Sequence, residues 1–270
     1  MTAVALERAP RRRSFRLNPR LTWGAASLLL LGIIWELAFR AGLMNPQFMA
    51  PPSAALAAGW DLMASGKLWP HAVTSLIELF WGSLFGIVIG IPLGFAMAQW
   101  RTVDSALSPT VWGIYSVPRT AFVPLLLVWF GIGLASKGAF VFLGVVFPMV
   151  ANTYLGVRET DKYALRSARS FSASRLETLR HVVLPSAVPY IIDGLRLGAG
   201  RGIVGVIIAE LYVSSGGVGY LLRLAGLGFQ TAQLIFLTIL VAALGIVVSQ
   251  VLIWLDHRIA GWRHAGTGAE

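Results

Sequence analysis

Six apolar stretches, each long enough to cross a membrane, constrain the fold of this chain more than any other feature. About 20 apolar residues in a helix span a hydrocarbon core of about 30 Å. Within lipid every backbone polar group needs a partner inside the protein, and an α-helix supplies that partner locally. The sequence therefore predicts an all-α membrane protein with six transmembrane helices, at residues 22–42, 73–100, 105–132, 138–157, 189–213 and 233–255.

The composition supports a multi-pass membrane protein and excludes several other classes. Only 13% of the 270 residues are charged and 56% are hydrophobic, whereas a soluble domain carries about 25% charged residues. The net charge is +10, but the basic residues flank apolar stretches, as anionic lipid and the positive-inside rule require. We therefore expect the lipid bilayer, and no nucleic acid, as a partner. The chain has no Cys, which excludes disulfides, thiol catalysis and cysteine metal sites.

The distribution of Lys and Arg predicts the orientation of the chain. Fifteen of the 22 Lys and Arg residues fall on one side of the predicted spans and four on the other. Because the basic side is cytoplasmic, both termini are predicted in the cytoplasm, as an even number of spans requires. The first apolar run is too long for the core of a signal peptide, so we expect a retained anchor. The predicted organisation is a basic tail at 1–21, a transmembrane domain at 22–255 with a cytoplasmic segment at 158–188, and a tail at 256–270.

Prolines and glycines predict how the spans bend and pack. The third span contains three prolines, so we expect it to be kinked or partly re-entrant. Small residues let helix backbones approach closely in lipid. Two glycine ladders at four-residue spacing therefore either pack helices tightly within one subunit or let two faces slide between conformations. They are Gly82, Gly86, Gly90 and Gly94 in the second span, and Gly194, Gly198 and Gly202 in the fifth.

A basic, polar segment between the fourth and fifth spans is too long to be a simple connection. Asp161 is predicted to cap a helix over about 162–171. Ser174 and Glu177 match the S-x-x-E capping box, which predicts a second helix over about 175–183. Two short helices joined by a turn of small residues would form a compact knob.

The second short helix is predicted to be amphipathic and to stop at a proline. Pro185 is expected to end it and to hold Leu184 in an extended conformation. Leu176, Leu179 and Val183 fall on one apolar stripe. The spacing fits two interpretations equally: a knob that enters a groove on a partner protein, or a helix that rests on lipid headgroups.

The same segment resembles the cytoplasmic signature of permease subunits of binding-protein-dependent ABC importers. That signature runs Glu-Ala-Ala, three residues, Gly, nine residues, Ile, one residue, Leu-Pro. Aligned on Leu184-Pro185, the chain has Arg166-Ser167-Ala168 in place of Glu-Ala-Ala, Ser172 in place of Gly and Val182 in place of Ile. The resemblance implies that the segment couples to an ATPase through Arg166, Ala168, Ser172, Ser174, Leu176, Glu177, Leu179, Leu184 and Pro185.

Other motifs resemble the aliphatic sulfonate, taurine and nitrate branch of that family. They are Pro124-Leu125, Trp129-Phe130-Gly131-Ile132-Gly133, the run LRHVVLPSAVP, and Ala209-Glu210 followed by SSGGVGY. The resemblance covers about residues 70–255. It implies a type I ABC importer permease fold in the bacterial inner membrane. The implied partners are a second permease subunit, in a homodimer, two cytoplasmic ABC ATPase subunits and an extracytoplasmic solute-binding protein.

The implied function is ATP-driven import of a small anionic solute, such as an alkanesulfonate, taurine or nitrate, by alternating access. One alternative within the family is a permease for a heterocyclic vitamin precursor. A stand-alone secondary carrier is an alternative of another class; it would show internal repeats, and we find none between the halves of the chain.

The chain is predicted not to be an enzyme. It lacks the phosphate-binding G-x-x-x-x-G-K-[ST] motif and both the H-E-x-x-H and G-x-S-x-G patterns. Its four His residues are scattered without ligand spacing, so no metal site is predicted. We expect no bound cofactor, with ATP and Mg²⁺ held by the partner ATPase.

Ionisable residues in the spans usually face a cavity or a partner, because each costs about 2.5–3.5 kcal/mol to insert. Asp193 and Arg196 are predicted to form a local i, i+3 pair, and Glu36 to approach the outer interface. Four deeper residues have two interpretations. They line a path for an anionic solute, or the arginines neutralise the acids; the four are Arg119, Arg201, Glu210 and Glu78.

Overall fold

The computed structural model describes residues 19–213 and 215–259. These residues form helices and short connections, without a strand. The helices are α1 (Pro19–Arg40), α2 (Pro52–Ala64), α3 (Leu68–Gln99), α4 (Arg101–Ser116), α5 (Val123–Phe130), α6 (Leu134–Arg158), α7 (Lys162–Ser170), α8 (Arg175–Thr178), α9 (Leu184–Val213), α10 (Val218–Leu227) and α11 (Thr231–Ile259). A 3₁₀ turn, Arg119–Phe122, precedes α5, and a π turn, Leu179–Val183, precedes α9.

Each predicted span coincides with a described helix or pair of helices, although not every one of these helices is long and apolar enough to count as a membrane span. By length and apolar composition α3, α6 and α11 could each cross a membrane, and α4 with α5 makes a fourth, bent span. The other two predicted spans correspond to α1 and α9, and α9 carries four ionisable residues. The all-α class is therefore confirmed, whereas the count of six stays a prediction. The predicted tails fall mostly in 1–18 and 260–270, outside the described residues.

The first glycine ladder lies in the interface between α3 and α6. A methyl group built on Gly82 would lie 2.5 Å from Val141 Cβ, and one on Gly86 would lie 2.7 Å from Val145 Cβ. Gly90 and Gly94 continue the contact one and two turns further along α6. Both helices advance together in sequence along this interface, so α3 and α6 run parallel.

The second ladder packs α9 against the other side of α6, in the opposite direction. Gly194 lies against Asn152, and Gly198 lies against Val145, nearer the start of α6. Gly202 reaches Leu79 on α3. The three helices therefore form a tight core in which glycines replace side chains between the backbones. The packing lies within one chain.

The third predicted span is broken, as its prolines suggested. The axis bends by 97° between Arg101–Ser116 and Arg119–Phe130. Since α3 and α6 run parallel, residues 101–130 carry the chain back along the bundle. Pro118 precedes the bend, where the missing N–H and the fixed φ of proline favour a break.

Two helices were not expected from the sequence, and they cover one end of the bundle. α2 and α10 are short, and their buried residues pack with the start of α3 and with α11. Glu36 near the end of α1 accepts hydrogen bonds from the Ser53 N–H at 3.1 Å and the Ser53 hydroxyl at 2.9 Å. It also pairs with Arg40 at 2.8 Å. α11 extends to Ile259, four residues past the predicted span.

Candidate functional site

The segment between α6 and α9 forms a small knob whose turns are fixed by local hydrogen bonds. The Asp161 carboxylate caps α7 by accepting the Tyr163 N–H at 2.8 Å. Ser174 and Glu177 form the predicted capping box, with the Glu177 carboxylate 2.7 Å from the Ser174 N–H. This hydrogen bond is the main reason that the pKa of Glu177 lies below its ordinary value. The box therefore stays ionised and intact at neutral pH.

The turn between α7 and α8 depends on Ser172, which adopts a left-handed conformation with φ of +55°. The Ala173 N–H reaches the Ala168 carbonyl at 3.0 Å, and the Ser172 N–H reaches the Arg169 carbonyl at 2.9 Å. Both bonds close the end of α7 in the manner of a Schellman cap. Glycine, the residue of the importer signature at this position, is the residue that such a conformation favours.

The prediction that Pro185 ends the second helix is wrong. Leu184 is helical, with φ of −61° and ψ of −48°, and α9 continues without a break to Val213. The reason is the π turn Leu179–Val183, in which the Leu184 N–H bonds to the Leu179 carbonyl five residues earlier. Widening the turn moves the carbonyls away from the proline ring, which needs no N–H partner at the start of a helix.

The knob has two apolar surfaces. One is exposed, and the other packs against the helix bundle. Phe171, Tyr163 and Leu176 expose 87%, 75% and 71% of their surface. Val183 is buried, and Leu179 packs against the same cluster of Val157 and Ala187. The predicted stripe of Leu176, Leu179 and Val183 is thus divided: only its first member is free to meet a partner.

A network of buried charges lies at the opposite end of the bundle. α6 is 25 residues long, so its ends are about 37 Å apart. Lys137 in its first turn forms a salt bridge with Glu78 of α3, and both side chains are buried. The sequence places Lys137 between the predicted spans 105–132 and 138–157, as one of the four basic residues on the less basic side, whereas the structure buries it in α6.

Glu210 joins this end of the bundle to the glycine-rich turn before α10. Its carboxylate accepts the Gly219 N–H at 2.7 Å and the Ser75 hydroxyl at 2.6 Å. Ser75 in turn accepts the Val218 N–H at 2.8 Å. Gly217, with φ of +104°, lies so close to the carboxylate that a side chain there would collide with it.

The two arginines of the spans do not neutralise Glu78 or Glu210. The Arg201 guanidinium donates to the Tyr115 hydroxyl at 2.7 Å and lies 5.1 Å from the centre of that ring. Arg119 lies at the bend before α5 and lines one groove together with Arg201. The predicted pair of Asp193 and Arg196 is present at 3.9 Å, on the same groove.

Comparison with known proteins identifies the family. Residues 86–261 match the family described as "Binding-protein-dependent transport system inner membrane component". The chain belongs to this family. It is therefore a permease subunit of an ABC importer, a transport component that spans a membrane more than once.

The permease is similar to named relatives over most of its length. It is 30% identical over 251 residues to the taurine transport system permease protein TauC of Escherichia coli (strain K12), covering 91% of each chain. It is 34% identical over 218 residues to the "Putative aliphatic sulfonates transport permease protein SsuC" of the same organism, covering 78% of this chain and 81% of the relative.

Solved structures show the same fold. A chain of the inward-facing MetNI methionine ABC transporter superposes with a TM-score of 0.63 at 18% identity, covering 71% of this permease and 95% of that chain. At this identity the likeness concerns the fold alone, which is that of a type I ABC importer permease.

Three site residues of the permease were not predicted from the sequence: Lys137, Ser75 and Tyr115. Each acts through a partner far away in the chain, so no local pattern reveals it. Only Lys137 could have been found by reasoning from the sequence. A buried acid such as Glu78 in an apolar span requires a basic partner, and Lys137 is the Lys nearest to an apolar span on the same predicted side.

Proposed function

We propose that this chain is the membrane-spanning permease of an ATP-driven importer for a small anionic solute of the alkanesulfonate, taurine or nitrate type. Two copies of the chain would form the path through the bacterial inner membrane. Two cytoplasmic ATPase subunits would bind ATP and Mg²⁺, and an extracytoplasmic binding protein would deliver the solute. Closure of the ATPases would move the knob, and the spans would reorient between outward-facing and inward-facing states.

The observation that carries this proposal is the exposed apolar surface of the knob. Phe171, Tyr163 and Leu176 lie on a segment whose helices are capped by side-chain hydrogen bonds, yet nothing in the described chain covers them. Large apolar side chains held in this way mark an interaction site. The knob continues through the π turn into α9, so a push on it acts directly on a core helix.

The type of solute rests on the relatives and on charge. The names of the two relatives refer to taurine and to aliphatic sulfonates, and both solutes carry a sulfonate group. The groove that contains Arg119 and Arg201 suits an anion better than it suits a neutral heterocycle. This observation favours the sulfonate reading over a vitamin precursor.

The proposal is tested by purifying the tagged permease from native membranes in mild detergent and identifying the proteins that co-elute. We expect an ABC ATPase in a stoichiometric amount. Leu176→Asp should abolish this association, because it puts a charge on the exposed apolar surface without touching the core. Leu227→Asp is the matched control, since Leu227 is 74% exposed on α10 at the other end of the bundle, and it should retain the ATPase.

Two results would contradict the proposal. One is a permease that elutes without an ATPase and moves solute down an ion gradient, which would indicate a secondary carrier. The other is equal retention of the ATPase by Leu176→Asp and the wild type, which would leave the knob as a lipid-facing structure. Leu179→Asp is unsuitable for this test because Leu179 packs against the bundle.

A further inference from the structure

One groove in the membrane-spanning part of the permease is lined by three arginines and a single acid. The groove has a volume of about 400 Å³, within the range of small-molecule sites. Its walls come from α9 and from the bend before α5. They comprise Arg119, Asp193, Arg196, Leu197, Gly200, Arg201 and Val204.

The described residues do not balance the charges of this groove. Asp193 pairs with Arg196, whereas none of the salt bridges among the described residues includes Arg119 or Arg201. The hydrogen bond that Arg201 makes goes to the neutral Tyr115 hydroxyl, so it does not offset either positive charge. Since each charge in a span costs about 2.5–3.5 kcal/mol, an unbalanced pair at this depth calls for an anionic partner from outside the chain.

Both arginines are held in place rather than left to reach the membrane surface. The Tyr115 hydroxyl accepts a hydrogen bond from Arg201 and its ring lies beneath the guanidinium. Arg119 folds back to the junction of α6 and α9. A methyl group on Gly144 would lie 3.1 Å from its Nη1 and 3.1 Å from the Arg201 carbonyl oxygen. The absence of a side chain at Gly144 thus makes room for Arg119 beside Arg201.

The bend between α4 and α5 is also consistent with a binding groove at this position. Irregular backbone at membrane depth is tolerated where it lines a cavity, and the bend at Arg119 lines this one. Arg201 lies in the middle third of α9, whereas Asp193 and Arg196 line the groove nearer the start of that helix. The planar fork of a guanidinium matches the oxygen atoms of an oxyanion.

We infer that this groove is an oxyanion site in the solute path, where Arg119 and Arg201 bind the sulfonate group of the cargo during its passage. Tyr115 is a positioning residue that orients Arg201. This inference rests on the proposed function for the identity of the cargo, but the affinity of the groove for anions is a property of the chain alone.

The permease has no Cys, so a single introduced thiol reports on the groove directly. Gly200 lines the groove, and a side chain added there meets open space. Full-length Gly200→Cys in detergent is treated with two methanethiosulfonate reagents of similar size, one bearing a sulfonate and one a trimethylammonium group. The ratio of their two rates removes the intrinsic reactivity of the thiol. Gln47→Cys, in an exposed loop, supplies the reference ratio.

We expect the sulfonate reagent to be favoured at Gly200→Cys by about tenfold over the reference. Adding Arg119→Gln or Arg201→Gln should lower that preference several-fold, and Arg201→Lys should retain part of it. Arg101→Gln, an exposed arginine outside the groove, should leave it unchanged. Ethanesulfonate should slow the labelling, and the neutral dimethyl sulfone should not.

The inference is overturned if neither reagent labels Gly200→Cys, if the ratio equals that of Gln47→Cys, or if both arginine substitutions leave it unchanged. Leu197→Cys, a second groove position that is 44% exposed, repeats the measurement should the glycine variant fail to fold. The role in transport is measured as ATP-dependent ethanesulfonate uptake by membrane vesicles, which Arg201→Gln should reduce at least tenfold and Arg101→Gln should not. Wild-type vesicles without uptake would contradict the proposed function, whereas the labelling ratios would still decide whether the groove binds anions.

Discussion

At the scale of single residues, the buried pair of Lys137 and Glu78 is the most consequential contact in the bundle. Their side chains expose only 8% and 1% of their surface, whereas the other salt bridges of the described residues each have at least one partner more than a third exposed. Two charges removed from water stabilise each other only while both are present. The pair therefore fixes the register of α3 against α6 at the end where Glu210 holds the turn before α10.

Removing one partner of this pair should destabilise the fold much more than removing both partners. We expect Lys137→Met to destabilise the permease by about 3–5 kcal/mol, because it leaves Glu78 buried without a basic partner. The double variant Lys137→Met/Glu78→Met should recover most of that loss. Arg40→Met, which breaks an exposed pair, should cost about 1 kcal/mol or less. Thermal unfolding in nanodiscs measures all three, and a double variant no more stable than Lys137→Met would refute this account.

Ser172 offers a second test at this scale, because its left-handed conformation is costly for residues with a Cβ. Ser172→Gly should leave the knob intact or tighten it, whereas Ser172→Val should loosen it by about 1–2 kcal/mol. Brief trypsin treatment measures the difference, since Arg169 and Arg175 flank the turn. Cleavage at these two arginines should be faster in Ser172→Val and no faster in Ser172→Gly. Equal rates in both variants would show that the turn does not limit opening.

The residues that could be predicted from the sequence are those whose partners are near in the chain. Asp161 and the Ser174–Glu177 box were predicted because a cap is satisfied within three residues. Lys137 lies just before the predicted span 138–157, and its pairing with Glu78 was missed because that partner is 59 residues away. Arg201 lies on α9, within the predicted span 189–213, but its contact with Tyr115 comes from the bend between α4 and α5, which no local pattern describes.

At the scale of helices, the glycine ladders decide how close α3, α6 and α9 can come. The sequence predicted the ladders but not their partner, which is α6 for both. It also missed the π turn before α9, because the rule that proline ends a helix assumes a regular turn before it. Pro185 instead follows a widened turn, so α8, the π turn and α9 form one continuous helix.

The contribution of the first ladder is tested with alanine. Gly86→Ala should destabilise the bundle by about 1–3 kcal/mol, because its Cβ would lie 2.7 Å from Val145 Cβ and the helices would have to separate. Gly245→Ala in α11 is the matched control, since its Cβ meets nothing within 4 Å. That variant should be neutral or slightly stabilising from its better helix propensity. Loss of the same stability in both variants would indicate that backbone freedom, rather than packing, sets the effect.

At the scale of the whole molecule, the packing of the core supports the orientation that the basic residues predicted. α3 and α6 run parallel and α9 runs against them, so the knob lies at one end of the bundle and α2 with α10 at the other. α11 begins among the residues that pack with α2 and α10, and it runs back toward the end that carries the knob. Along this path the start of α1, the end of α11 and the knob come to one side of the bundle, which the positive-inside rule predicts to be the cytoplasmic side.

This orientation is tested by single cysteines in the naturally Cys-free chain. Ser170→Cys at the end of α7 reports on the knob, and Gln47→Cys between α1 and α2 reports on the opposite end. A membrane-impermeant maleimide should label Gln47→Cys in right-side-out vesicles and Ser170→Cys only in inside-out vesicles. Both positions are exposed, so the difference would come from the membrane and not from burial; permeabilised vesicles, in which both should react, provide that control. Labelling of both positions from the same side would contradict this orientation, because the knob and the loop that contains Gln47 would then lie on one side of the membrane. In that case the knob could not contact a cytoplasmic ATPase while α2 and α10 face an extracytoplasmic binding protein.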